Sequence, residues 1–215
     1  MEAKLTVRNL SKKYRQFVAL APTNFSLNSG EIVTLSGQNG SGKTTLLSCI
    51  TGLVRATTGT VHVGAFELSE DELEVRRRLA FVPDVSRFYV ELTAWEHLRF
   101  IAMANDVLEV FEIRAEEILR GLGLWDVRDQ FPHNYSRGMQ LKLGLAMAFI
   151  RPFEVLLLDE PTSALDEESV SILLDKLRIL CQHGASILMS SHDPAIKTQF
   201  GDRQLLIENG VLREV

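Results

Sequence analysis

Two cysteines in 215 residues are too few for a secreted disulfide framework, and Cys49 and Cys181 lack the spacing of a metal site. Both fall in apolar helical patterns, which predicts buried free thiols. No stretch of about 18 predominantly apolar residues escapes interruption by charge, glycine or proline, so no segment is expected to span a bilayer. Met1-Glu-Ala-Lys-Leu-Thr-Val7 lacks the apolar centre of a signal peptide. A chain of this kind that works at a membrane must dock onto another protein. There is no short repeat, low-complexity tail or long linker. An excess of basic charge is also missing: 23 Lys and Arg against 28 Asp and Glu leave a net charge of −5. That balance argues against a nonspecific nucleic-acid binder, and Arg76-Arg77-Arg78 reads as a solvated face. What remains is 46% hydrophobic and 24% charged residues, enough for one domain with a sizeable core.

The first third is strand-rich. Leu5–Val7 and Phe25–Leu27 are candidate strands, Asn28-Ser-Gly30 is a turn, and Glu31–Leu35 reads as a buried strand. Further strands are expected at Thr60–Val63 and Leu79–Val82. From about 93 to 150 the pattern is helical. Thr93 and Glu96 have capping-box spacing, a second helix is expected over 112–120, and a third from Ser136 to Phe149. The last third alternates again, with strands at Val155–Asp159 and Ser186–Ser190 around a helix at Glu167–Leu180. Gln204–Glu208, Asn209-Gly210 and Val211-Leu212 read as a hairpin. This organisation predicts a single domain over 1–215, with 1–84 and 151–215 as a core and about 85–150 as a helical subdomain.

Gly37-Gln38-Asn39-Gly40-Ser41-Gly42-Lys43-Thr44-Thr45 lies between the buried strand and a helix expected over Thr44–Leu53. Its glycines let successive backbone N–H groups converge on one anion. Lys43 supplies positive charge for β and γ phosphates, and Thr44 a hydroxyl for Mg²⁺. Asp159 ends the second buried strand, where ligands collect in parallel sheets, and is placed to hold the metal's hydration shell. Glu160 follows, positioned to polarise a water attacking the γ phosphate.

These motifs together resemble the nucleotide-binding subunit of an ABC transporter over essentially all of residues 3–215. Lys43 matches its Walker A loop, and Leu156–Glu160 its Walker B strand and catalytic glutamate. Tyr135-Ser-Arg-Gly-Met-Gln140 resembles the signature Leu-Ser-Gly-Gly-Gln. Ser163–Asp166 matches the loop after Walker B, His192 the switch histidine, and Tyr14 the aromatic residue that stacks on adenine. The fold this implies is α/β: a P-loop NTPase cassette with a mixed β core, an N-terminal antiparallel β subdomain and a helical subdomain. The activity implied is ATP hydrolysis with Mg²⁺. Nucleotide would be bound by Tyr14, by residues 37–45, by Asp166 and Arg137, and by Ser136 and Gly138 of a second copy. Glu160, His192, Lys43 and Asp84 would be catalytic.

Two residues depart from the family pattern. Asp84, in Phe81-Val-Pro-Asp84, stands where relatives carry Gln; it is expected either to approach Mg²⁺ and the attacking water, with altered metal dependence or slower coupling, or to be simply tolerated without a special role. Arg137 replaces the first signature glycine, as an added nucleotide or intersubunit contact or as a solvent-exposed side chain. The resemblance further implies a head-to-tail homodimer at the cytoplasmic face of a membrane, paired with separate permeases, export favoured over import. Ser86–Trp95 would line a groove for a short permease helix, or simply pack within the subdomain. The alternatives are a soluble ABC ATPase acting on ribosomes or nucleic acid, and an ATP-gated dimerisation switch with little turnover.

Overall fold

The computed structural model describes residues 2–193, 196 and 200–215, which form two compact units. The first comprises Met1–Phe81, Phe153–Glu160 and Ser171–Val215; the second comprises Val82–Pro152 and Pro161–Val170.

In the first unit β1 (Ala3–Tyr14) and β2 (Phe17–Asn28) make a long antiparallel hairpin. β4 (Thr58–Val63) and β5 (Phe66–Glu67) complete a four-stranded sheet in the order β2-β1-β4-β5. β1 and β2 far exceed the three-residue segments expected from alternation. Register shifts along β1, including those between Val7 and Leu10 and between Leu10 and Lys12, break the period-2 pattern that marks a strand in sequence.

The second sheet has six strands in the order β10-β9-β3-β8-β7-β6. These are β3 (Ile32–Ser36), β6 (Leu79–Val82), β7 (Val155–Leu158), β8 (Ser186–Ser190), β9 (Arg203–Glu208) and β10 (Val211–Glu214). β7, β8, β3 and β9 run parallel, and β10 returns antiparallel to β9. β3, β7 and β8 are buried at every position, as expected of parallel strands covered on both faces. Helix α1 (Lys43–Ile50) contributes Leu46, Leu47, Cys49 and Ile50 to a core shared with Leu5, Val7, Leu35, Val61, Leu157 and Leu188. Both cysteines are free and buried.

Residues 72–78 form a helix that the basic triplet concealed. In α2 (Glu72–Arg78), Arg76 pairs with Glu72 at 2.6 Å and Arg78 with Glu74, while Arg78 also reaches Glu154 at 3.3 Å. Arg78 lies over the Phe66 ring, 4.2 Å from its centroid. Arg77 also reaches Glu74, at 3.7 Å, so all three arginines have acidic partners about one helical turn back.

The second unit is built on α3 (Ala94–Ala104), α4 (Phe111–Gly121) and α5 (Arg137–Phe149), joined through short 3-10 turns. Thr93 and Glu96 form the expected capping box. Trp95 packs edge-on against Phe111 and Trp125. His97 is buried and satisfied: Nε2 accepts the Tyr89 N–H at 2.9 Å, so Nδ1 carries the proton donated to the Thr93 carbonyl at 2.8 Å. The last helix, α6, covers Glu167–Gln182. Among the described residues no helix is long and apolar enough to cross a membrane.

Candidate nucleotide site

The carboxyl ends of β3, β7 and β8 converge in the first unit, and each carries one part of a polar cluster. β3 leads into residues 37–42, whose crest at Gln38, Asn39 and Gly40 is exposed while Ser41 and Lys43 are buried. Gly42 has φ 116°, and a Cβ there would sit 2.7 Å from the Ala19 carbonyl oxygen of β2, so only glycine fits. The loop is walled by β2 and the β9–β10 turn: the Gly210 N–H of that turn donates to the Ser41 carbonyl at 2.9 Å, and the Ala21 N–H donates to the Gly210 carbonyl at 2.8 Å.

Lys43 Nζ donates to the Gly37 carbonyl at 2.8 Å and the Gln38 carbonyl at 3.3 Å, and lies 3.3 Å from His192 Nε2 and 3.8 Å from Glu160 Oε1. Its ammonium is therefore aimed across the mouth of the loop. The Thr44 hydroxyl donates to Asp159 Oδ2 at 2.7 Å. Glu160 Oε1 is 3.0 Å from His192 Nε2, and its Oε2 accepts the His192 N–H at 3.2 Å. Lys43, Thr44, Asp159, Glu160 and His192, widely separated in sequence, are thus brought to one place.

Glu160 has φ 50°, a conformation that costs a non-glycine residue about 1–3 kcal/mol and clusters at functional sites. Burial raises its carboxyl above the usual glutamate range, against the opposing pull of His192 and Lys43. A carboxyl tuned upward beside the Lys43 ammonium and the His192 ring suits a general base.

Ser190, which the sequence marks only as the end of a strand, holds this pair in place. Its hydroxyl donates to Asp159 Oδ1 at 2.7 Å and accepts the Glu160 N–H at 2.8 Å, and it is fully buried. The only sequence signal is its position two residues before His192 at a buried strand end. Replacing it with alanine leaves two buried polar groups short of a partner. S190A should lower ATP turnover about tenfold or more, with a higher Mg²⁺ requirement; a Mg²⁺ titration of phosphate release measures both.

The cluster fits a nucleotide and its metal. Among the described residues the buried Ser41 hydroxyl has no hydrogen-bond partner, as expected of a group built to meet an anion. Thr44 and Asp159 present oxygen donors, the chemistry Mg²⁺ takes while keeping waters. No group of three or more His, Cys, Asp or Glu side chains forms a metal cage among the described residues, so phosphate and water would have to complete the coordination.

Other sequence-predicted residues lie elsewhere. Tyr14 ends β1, half exposed, with Lys12 Nζ 4.7 Å from its ring centroid. Thr45 follows Thr44 in α1. In the second unit Ser136 caps α5, its hydroxyl accepting the Met139 N–H at 3.2 Å. Gly138 lies against the turn before α6, where a Cβ would come within 2.6 Å of the Ala164 carbonyl oxygen. Asp166 accepts the Ser169 N–H at 2.8 Å, and the Ser169 hydrogen bonds hold its carboxyl below the usual range. Arg137 pairs with Asp84 of the same chain at 2.9 Å.

A phosphate loop, a strand-end aspartate and an adjacent glutamate on a parallel sheet define a P-loop nucleoside triphosphatase. Residues 20–163 match the ABC transporter family. The chain is 33% identical over 215 residues to SkfE, the SkfA peptide export ATP-binding protein of Bacillus subtilis (strain 168), covering 98% of this chain and 87% of that protein. It is 31% identical over 216 residues to FbpC, an Fe(3+) ions import ATP-binding protein of Haemophilus influenzae (strain 86-028NP), covering 98% of this chain and 62% of that one. Among solved structures, a dimeric ATP-binding cassette in a post-hydrolysis state with ADP and Pi matches with a TM-score of 0.90 at 27% identity, over 98% of this chain and 97% of the other. The chain belongs to the ABC transporter family as an ATP-binding cassette. It carries that family's P-loop ATPase fold.

Proposed function

We propose that this chain is the ATP-hydrolysing motor subunit of a membrane transporter, working as a homodimer beneath separate permease subunits. The observation that carries the reading is the convergence of Lys43, Thr44, Asp159, Glu160 and His192 at three strand ends.

In this reading the loop N–H groups and Lys43 bind the phosphates, and Tyr14 stacks on adenine. Thr44 and Asp159 would hold Mg²⁺, which would supply charge neutralisation for the phosphates. Lys43 exchanges its bonds to the Gly37 and Gln38 carbonyls for phosphate oxygens. Glu160 accepts the proton of the attacking water, and His192 orients Glu160 and reaches the γ phosphate. Ser136 and Gly138 of a second copy close over the nucleotide. ATP binding then joins the two copies, and hydrolysis releases them. The dimeric state of the solved cassette with ADP and Pi supports this arrangement.

Permease docking would use the surface around Tyr89 and Val90, both exposed, with Phe100 stacked edge-on to Tyr89 and Leu92 half-buried beside them. Apolar exposure of this kind on one helical unit marks an interaction surface. Tyr89→Glu should reduce copurification with the membrane partner about fivefold or more while leaving ATP affinity unchanged. Copurification at the parent level would remove the docking assignment. A parent chain that never copurifies with a membrane protein would remove the transporter reading and favour a soluble ATPase. The export direction rests on the likeness to SkfE, and the likeness to FbpC makes import the competing direction. ATP-driven flux in vesicles rebuilt with the copurified partner decides between them.

A further inference from the structure

The second unit places the two residues that break the family pattern in contact with each other. Arg137 Nη2 donates to Asp84 Oδ1 at 2.9 Å, and the Ser163 hydroxyl donates to the same oxygen at 3.0 Å. Asp84 follows β6, Arg137 is the first residue of α5, and Ser163 lies in the turn before α6. One carboxylate oxygen therefore gathers three segments of the unit. The same turn approaches α5 so closely that Gly138 has no room for a side chain beneath the Ala164 carbonyl.

We propose that Asp84 is a positioning residue: with Arg137 and Ser163 it fixes the start of α5, and so the Ser136 hydroxyl and the N–H groups beside it. Rotating the first turn of α5 would carry Arg137 off Asp84 and move Ser136 with it. An aspartate suits this role because its carboxylate accepts two donors at one oxygen. A neutral amide oxygen there would lose the charge assistance to the guanidinium. Arg137 is thereby held within its own chain rather than directed outward.

An exposed ion pair by itself contributes little. Here the side chain of Arg137 is 63% exposed and that of Asp84 37%, so the effect depends on the shared hydroxyl and on the geometry it holds. The expectation is a modest, salt-sensitive one. It rests on the composite-site reading for its catalytic consequence, though not for the latch itself.

The test uses the full chain with D84N, R137Q, S163A and the charge swap D84R/R137D. Two readouts are needed: amide hydrogen exchange over residues 136–140 without nucleotide, and phosphate release as a function of ATP and Mg²⁺. D84N and R137Q should each speed exchange in that segment about threefold or more, S163A less, and the swap should recover at least half the loss. Turnover should fall about threefold in the two charge variants and recover in the swap, with Mg²⁺ half-activation unchanged. Exchange indistinguishable from the parent in both single variants, or a swap as impaired as the singles, overturns the proposal. So does a shift in Mg²⁺ half-activation without a change in exchange, which would make Asp84 a metal-shell residue instead. If exchange responds as expected but the parent neither dimerises with ATP nor releases phosphate, the latch stands and the motor reading fails.

Discussion

Replacing Glu160 with glutamine should cut ATP turnover by about 10²–10⁴-fold while leaving ATP affinity near the parent value. The amide keeps the shape and can still bond to the His192 N–H, but it cannot take a proton from water. The geometry makes proton acceptance at this site depend on Glu160. Glu160 is the acid that touches both Lys43 and His192, while Asp159 is already committed to Thr44 and Ser190. Stalled before hydrolysis, E160Q should also accumulate as an ATP-bound dimer. Single-turnover phosphate release and nucleotide titration separate the two effects; near-parent turnover would strip Glu160 of its assigned role.

The pH dependence carries a further signature of the same residue. Burial raises its carboxyl, so as pH falls the base is lost earlier than an ordinary glutamate would be. The acid limb of the turnover profile should lie above the usual glutamate range. The stability sign runs the opposite way: the folded chain holds this proton more tightly than the unfolded chain. Stability from this group is therefore full below the ordinary glutamate value and declines as pH rises through the raised one. E160Q should consequently be no less stable than the parent at neutral pH, as thermal unfolding would show.

Lys43→Ala should weaken ATP binding about 10²-fold, a loss of affinity where E160Q loses rate. Lys43 is 7% exposed, and its ammonium is held at the mouth of the loop by the Gly37 and Gln38 carbonyls. Those bonds orient the chain without cancelling its charge, so an arriving phosphate meets an oriented cation. Alanine removes the charge and leaves the loop carbonyls facing the same space, which repels the anion. Isothermal titration with ATP and Mg²⁺ measures the loss, and a change of less than about threefold would show that the loop binds through its N–H groups alone.

The sequence was most readable where chemistry is contiguous. Gly37–Thr45 and Asp159-Glu160 are short runs whose residue types leave few alternatives once a buried strand precedes each. The buried strands at 32–36, 155–158 and 186–190 and the capped helix at 94–104 were legible for the same local reason. Ser190 was not, because a serine inside a buried strand looks identical whether or not it bridges two acidic residues. The Asp84–Arg137 pair spans 53 residues, and side-chain pairing over that distance leaves no periodicity to read. The sequence showed two departures from a pattern but not that they meet. β1 and β2 were underestimated because register shifts scramble alternation, and α2 because three consecutive arginines mask a seven-residue helix.

The wall behind the phosphate loop has a consequence for how the protein comes into being. Ser41 is tied to Gly210 and Gly210 to Ala21, so the loop is clasped between β2 and the β9–β10 turn, which lies about 170 residues further along the chain. A nascent chain stopped short of residue 203 would display residues 37–45 without that clasp. Nucleotide affinity thus depends on the β9–β10 turn having docked on the loop, and ATP would favour molecules in which that turn is in place.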